Sequence, residues 1–481
     1  MKKVFAWVSS PTGRLLLLIV VAAMVRLYRI TNPVADWHAF RQADTASVTR
    51  EYIKRGVDWL RPRYQDLSNI QSGQDNLEGY RMVEFPLING VLATLLRAIP
   101  SLPLVLTSRL ATVLISLGSL WFLVDFVTKI TGNKTVGWLS GLFFALLPYS
   151  VYYSRTILPE PYVIFFSLAS LSCLVSALQF KRPVGQWQWW VSAVCLSVAF
   201  LLKPFVVFLA PVYAVIIWQQ QSKIRYSPWW VVYGLLAVAP FLWWRYWIQQ
   251  FSSGIPAADW LLNGNGIRFR PAWFRWIFYE RFTKLIMGYT GIVIAATSLW
   301  YKGRGQVVLW AWWLGLITYT AVVATGNVQH DYYQVIFTPL ISFTLALGTW
   351  LLWQKSIQLI YKAGVITLIA VLLVLSWQQV AGYFNVNHWE YVEAGRAVDQ
   401  LTPLDAKVIA PAFGDTHFLF QTNRTGWPIG FEIDDKISQG ATHYVTTSFD
   451  DEAQELESRF ATVVKTDRYL ILNLTQPKEK Q

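Results

Sequence analysis

Residues 104–127 read LVLTSRLATVLISLGSLWFLVDFV. A helix crossing the hydrocarbon core of a bilayer needs roughly 20 mainly apolar residues, and this run supplies them. Similar runs recur from the N-terminus to about residue 378. They place spans at approximately 14–31, 104–127, 135–154, 159–179, 187–202, 204–220, 229–248, 285–301, 307–324, 333–353 and 360–378, about eleven in all. Composition agrees, with 54% hydrophobic and 14% charged residues against about 25% charged in soluble domains. Aromatic clusters end the apolar runs: Trp187-Gln188-Trp189-Trp190, Pro228-Trp229-Trp230, Trp243-Trp244-Arg245-Tyr246-Trp247 and Trp310-Ala311-Trp312-Trp313. Such rings favour the headgroup layer, where one edge is wet and one face apolar. The fold class is therefore mostly α, a polytopic transmembrane helix bundle, and soluble globular readings are excluded.

The formal net charge is +13. The cations are spread through short loops, which fits anionic headgroups and membrane orientation better than nucleic acid. With the N-terminus cytoplasmic, the inner loops hold Lys129 and Lys134, Lys181 and Arg182, Lys223 and Arg225, Lys302 and Arg304, and Lys355 and Lys362. All are basic, the positive-inside bias. An odd span count puts residues 379–481 outside, with the long loop 32–103. The first run begins near Leu15 after a basic start, Lys2 and Lys3, and is expected to be a retained span, not a signal peptide. Cys173 and Cys195 lie inside apolar runs and read as packing residues, not a disulfide.

Two domains follow: a transmembrane domain, 1–380, with outer loop 32–103 and outer segment 252–284, and an extracytoplasmic α/β domain, 381–481. In the loop, residues 37–55 and 86–98 read as amphipathic helices able to lie along the membrane. In the tail domain Tyr391, Ala394, Val398 and Leu401 repeat at helical spacing, and 406–412, 442–449 and 469–474 read as strands.

Charges in or beside spans are costly and usually functional. The densest group is Asp36-Trp37-His38-Ala39-Phe40-Arg41-Gln42-Ala43-Asp44-Thr45, directly after the first span. Further outer-face groups are Arg81 and Glu84, Arg155 and Glu160, Lys203-Pro204, and His330-Asp331-Tyr332-Tyr333. The topology puts all of them at one level on one side. Each also has a structural reading. Asp36 suits a helix N-cap, and Asp44 suits an i,i+3 pair with Arg41. Glu84 and Glu160 suit pairs with Arg81 and Arg155, cations at span ends can snorkel, and tyrosines at this depth are ordinary belt residues.

The run from Asp36 to Thr45, followed by Thr49-Arg50-Glu51-Tyr52, resembles the first outer loop of polyprenyl-phosphate-sugar-dependent glycosyltransferases of the GT-C fold. The similarity is to family 39, which comprises protein O-mannosyltransferases and lipid A aminoarabinose transferases. It extends through Leu158-Pro159-Glu160-Pro161, Leu202-Lys203-Pro204 and His330-Asp331-Tyr332-Tyr333 to the C-terminal domain. One departure is that the better-known relatives carry adjacent Asp-Glu about where Arg41-Gln42 stands here.

The resemblance implies a GT-C-type bundle with a lipid-linked donor in the inner membrane, consistent with the lack of a phosphate-cradling glycine loop. A carboxylate takes the proton of an acceptor hydroxyl as it attacks the anomeric carbon, and cations stabilise the leaving lipid phosphate. Direct displacement inverts the anomeric centre. Asp36 is the expected base, with Asp44 the rival. Arg41, Lys203, Arg155, His330, Tyr332 and Tyr333 are expected at the donor phosphate. His38, Gln42, Glu84, Glu160 and Asp331 are expected at the sugar or the acceptor, which is a glycan, lipid or protein. Asp36, His38, Asp44 and Glu84 offer metal ligands but no specific metal spacing, so the cofactor is left open. Competing readings are a transporter or flippase of a lipid-linked sugar, a surface-polysaccharide polymerase or ligase, and a scaffold. The absence of an internal repeat and the one-sided polar residues weigh against transport.

Overall fold

A computed structural model describes residues 11–478, so the basic start at Lys2 and Lys3 lies outside the described residues. The chain forms two compact units. One comprises Met1–Ile30, Leu110–Arg245 and Ala258–Tyr383, and the other Thr31–Arg109, Tyr246–Ala257 and Phe384–Gln481.

The first unit is helical. Among the described residues of the whole chain, five helices are long and apolar enough to cross a bilayer: Leu104–Thr131, Glu160–Ala177, Trp229–Gln250, Asp331–Lys355 and Leu359–Leu401, the last being apolar along its first part, Leu359–Val380. A sixth candidate is the pair Pro271–Ile286 and Gly291–Trp300, bent by 107°. Shorter apolar helices include Lys134–Leu146, Trp187–Leu202, Pro204–Trp218 and Gln306–Val322. The first apolar run forms Pro11–Arg26.

Breaks follow the local chemistry. Asn133 caps Lys134–Leu146, its side chain accepting from the Thr135 and Val136 amides at 2.9 and 3.3 Å. That helix stops before Pro148, which has no N–H to give the Phe144 carbonyl. Arg26 fills the gap, donating to the Phe144 and Ala145 carbonyls at 3.1 and 3.0 Å. Lys203 is extended (φ −154°, ψ 128°), as a residue preceding proline prefers. The chain then re-enters as a 3-10 turn, Pro204–Leu209, and a helix, Ala210–Trp218.

The segment expected to cross at 285–301 is more irregular. Arg275–Ile286 is a π-helix, a form most often found as a single turn at functional sites, and Gly291–Thr297 continues after a bend. Gly288 sits in that bend at φ 50°, where a Cβ would lie 2.2 Å from the Leu372 carbonyl oxygen. Only glycine fits there.

The second unit is built on a five-stranded sheet: β1 Lys407–Ile409, β2 Thr425–Trp427, β3 His443–Thr446, β4 Phe460–Lys465 and β5 Leu470–Pro477. The order is β2-β1-β3-β5-β4. β1 runs parallel to β2 and β3, while β5 is antiparallel to β3 and β4. Residues 65–67 extend the sheet beside β2, with the Leu67 amide on the Gly426 carbonyl at 2.8 Å and the Gly426 amide on the Gln65 carbonyl at 2.9 Å. The loop 32–103 thus contributes to the sheet unit. Leu67 joins Ile409, Trp427, Tyr444, Leu470 and Leu472 in one core cluster, and Ala394, Val398, Val408, Phe418 and Ile471 form another.

Helix Trp389–Leu401 buries Ala394 and Val398 as its spacing predicts, but Leu401 at its end is 52% exposed. Helix Ala39–Arg55 is more enclosed than its amphipathic pattern predicts. It buries Arg41, Gln42, Asp44, Arg50 and Glu51 along with its small residues.

Candidate active site

The expected site residues fall into two groups, one in each unit. In the sheet unit they lie on or near helix Ala39–Arg55. This helix begins after His38, which adopts a left-handed conformation (φ 54°) and makes no side-chain cap. Asp36 is therefore not the N-cap. Its carboxylate accepts from Gln42 Nε2 at 2.8 Å and from Arg109 Nη2 at 3.0 Å, and both side chains of the Asp36–Arg109 ion pair are fully buried. Arg109 lies inside the apolar run 104–127.

Asp44 does not pair with Arg41 one helical turn away. It accepts from Thr416 Oγ1 at 2.7 Å, Arg81 Nη2 at 2.9 Å and Gln71 Nε2 at 3.2 Å. Arg41 instead forms an ion pair with Glu84. Three carboxylates thus meet three arginines in pairings that sequence neighbourhood does not suggest. The His38 ring packs edge-on against Trp37 and Phe40. Nearby, Asp66 bonds the Ser68 amide at 2.8 Å, and burial pushes its carboxyl up to about 7.

In the helical unit, Glu160 opens helix Glu160–Ala177 and pairs with Lys203 Nζ at 3.4 Å, not with Arg155. Arg155 is buried, donates to the Arg29 carbonyl at 2.7 Å and lies over the Tyr152 ring. Glu160 and Lys203 line a pocket whose remaining wall is almost wholly apolar, including Ile164, Leu171, Val206 and Leu316, with Tyr319 and Tyr333. Three buried polar atoms there, Glu160 Oε2, the Ser167 hydroxyl and the Trp312 indole N–H, have no hydrogen-bond partner among the described residues.

His330, Tyr332 and Tyr333 stack as a set, with Tyr332 and Tyr333 centroids 4.7 Å apart and His330 5.4 Å from Tyr332. Asp331 points elsewhere. Its carboxylate accepts the hydroxyls of Tyr153 and Tyr383, and its carbonyl accepts that of Tyr149.

Three arginines escaped the sequence reading: Arg109, Arg26 and Arg281. The first two had a visible signal, a charge within an apolar run. Arg281 sits on the π-helix and donates to the Val328 carbonyl at 2.8 Å, and nothing in the sequence signals that geometry. Among the described residues, no group of three or more His, Cys, Asp or Glu stands close enough to hold a metal ion.

Comparison with known proteins agrees with this architecture. A family model for dolichyl-phosphate-mannose-protein mannosyltransferases matches residues 100–263. No curated protein matches the chain. Among solved structures, ArnT from Cupriavidus metallidurans, bound to undecaprenyl phosphate, is similar with a TM-score of 0.68 at 12% identity, over 96% of this chain and 98% of that one. The oligosaccharyltransferase of Archaeoglobus fulgidus gives 0.56 at 10% identity, over 90% and 69%. The arabinofuranosyltransferase AftD from Mycobacteria gives 0.59 at 15% identity, over 95% and 41%. The chain therefore shares the fold of these membrane glycosyltransferases, and its residues 100–263 resemble the dolichyl-phosphate-mannose-protein mannosyltransferase family.

Proposed function

We propose that the protein moves a sugar from a polyprenyl-phosphate donor to an acceptor hydroxyl at the outer face of the inner membrane, with inversion at the anomeric carbon. The observation that carries this reading is the Glu160–Lys203 pocket. It offers one ammonium group at the head of an apolar cleft, which suits a phosphate joined to a hydrocarbon chain. A soluble nucleotide sugar has no use for such a wall. The undecaprenyl phosphate named with the ArnT structure supports the same donor class.

In the reaction the acceptor oxygen attacks the anomeric carbon while the bond to the phosphate oxygen breaks. The electron pair leaves with the lipid phosphate, and the acceptor proton passes to a carboxylate. Asp36 is the proposed base, with its carboxylate oriented by Gln42 and Arg109. Asp44, oriented by Arg81, Gln71 and Thr416, is the alternative. Lys203, Arg155, Arg41, His330, Tyr332 and Tyr333 are proposed to hold the phosphate as its charge grows. His38, Gln42, Glu84, Glu160 and Asp331 are proposed to position the sugar and the acceptor. The basic loops support a cytoplasmic N-terminus and an outer sheet domain.

The test is transfer from radiolabelled polyprenyl-phosphate sugars to extracted acceptors by the purified protein. Transfer abolished in Asp36→Asn and kept in Asp44→Asn is the expected result. The reverse moves the base to Asp44, and transfer intact in both removes this loop from the mechanism. Lipid movement across vesicles without a new glycosidic bond would replace the enzyme reading with transport.

A further inference from the structure

Helices Glu160–Ala177 and Trp187–Leu202 pack along each other, with Ser170 Oγ on the Ser192 carbonyl at 2.8 Å. One end of this pair carries Glu160 and Lys203. At the other end a pocket of about 240 Å³ opens, lined by Lys181, Arg182, Lys223, Ser227, Trp229 and Trp230 among others. At 1.5 Å rise per residue, the helices separate the two ends by about 24–27 Å.

The charge at the two ends differs. Lys203 has a carboxylate beside it. The distal pocket has three cations and no carboxylate in its wall. Among the described residues, Lys181, Arg182 and Lys223 make no ion pair and no side-chain hydrogen bond. Three like charges around one cavity repel each other, yet the loops that carry them are fixed in place. Trp190 Nε1 donates to the Val184 carbonyl at 3.0 Å, pinning the loop of Lys181 and Arg182. Trp230 Nε1 donates to the Ile224 carbonyl at 2.8 Å, pinning the turn of Lys223. Cations gathered in a wall without a carboxylate suit an anion.

Its surroundings indicate which kind of anion. Trp187, Trp218, Tyr226 and Trp229 stand exposed around it, and rings of this type settle at headgroup depth. Basic pockets between helices at that depth suit lipid phosphates. We propose that this pocket binds the phosphate of an anionic phospholipid headgroup, at the end of the helix pair remote from Lys203. The bound lipid offsets the repulsion among Lys181, Arg182 and Lys223 and holds the far end of the helices that present Glu160 and Lys203. The site is separate from the donor pocket, so it stands or falls independently of the transfer reaction.

The experiment places the full chain in nanodiscs of phosphatidylglycerol and phosphatidylcholine in equal amounts and reads the lipids retained on gentle extraction by native mass spectrometry. The wild-type protein is expected to retain phosphatidylglycerol selectively. K181Q/R182Q/K223Q is expected to retain it at least tenfold less, and Lys203→Ala to retain it fully. The charge-preserving K181R/K223R protein, expected to keep the lipid, separates loss of charge from loss of fold. Equal retention of both lipids, undiminished phosphatidylglycerol in the triple variant, or loss in K181R/K223R would overturn the proposal. So would displacement of the lipid by inorganic phosphate alone, which would assign the pocket to a soluble anion.

Discussion

In the sheet unit, carboxylates meet arginines: buried Asp36 with Arg109, buried Asp44 with Arg81, and half-buried Glu84 with Arg41. In the helical unit, apart from the Glu160–Lys203 pair, buried arginines meet carbonyls and a buried aspartate meets hydroxyls: Arg26 on Phe144 and Ala145, Arg155 on Arg29, Asp331 under three tyrosines. The difference matters because the two arrangements fail differently. Removing one member of a buried ion pair strands a full charge. Removing a donor from a carbonyl strands only a dipole.

The largest expected effect therefore lies in the sheet unit. Arg109→Met leaves the Asp36 carboxylate buried without its guanidinium partner, and should cost about 3–5 kcal/mol in thermal unfolding of the detergent-solubilised protein. The double variant Asp36→Asn/Arg109→Met should recover most of that loss, since replacing both charges is often close to neutral. A single-variant cost under about 1 kcal/mol would mean that charge pairing does not hold Asp36. Next comes Lys203→Ala, whose effect belongs to catalysis. Loss of a cation at the leaving phosphate should lower turnover by about 10²–10³-fold, while Asp331→Asn, which retains a carbonyl acceptor for one tyrosine, should lower it less. Equal losses would place Asp331 at the phosphate as well. Smaller again is Arg26→Met. The Phe144 carbonyl keeps the Ser150 hydroxyl at 2.8 Å, so mainly the Ala145 carbonyl is orphaned, at about 1–3 kcal/mol. A cost matching that of Arg109→Met would erase the distinction between the two units.

How much of this could be read in advance divides along the same line. The helices of the first unit are local events. The apolar run 104–127, the proline after Lys203 and the Asn133 cap each act within a few residues, so sequence pattern finds them. The order β2-β1-β3-β5-β4 is not local. β2 is three residues long and contains Gly426, where a Cβ would meet the Val408 carbonyl at 1.8 Å, so no strand-like alternation marks it. β4 escapes for another reason, since it follows helix Asp451–Arg459 without a turn signal. The candidate site shows the same limit. Asp36, Asp44, Glu84 and Lys203 stood out as costly charges, but their partners lie far along the chain. Arg109 is 73 residues from Asp36, and Thr416 is 372 residues from Asp44. Local rules offered Arg41 for Asp44 and Arg155 for Glu160, and long-range packing chose otherwise.

A further contrast is a pH dependence confined to the sheet unit. Burial raises the Asp66 carboxyl from 3.8 to about 7, against lowering hydrogen bonds from Ser68. Between those values the folded unit binds more protons at Asp66 than the unfolded chain does, so its stability falls as pH rises from 3.8 to about 7. Below the lower value both states are protonated, and above the upper value both are ionised, so Asp66 adds no slope in either range. Asp66 lies on the segment 65–67 that pairs with β2, and the local readout is hydrogen exchange at the Leu67 and Gly426 amides. Protection factors there, the exchange rates corrected for the base-catalysed intrinsic rate, should fall across this window in the wild type and stay level in Asp66→Asn, while those of the Arg26 region of the helical unit show no matching change. A slope that persisted in Asp66→Asn would trace the titration to another group and leave Asp66 a structural acceptor for the Ser68 amide.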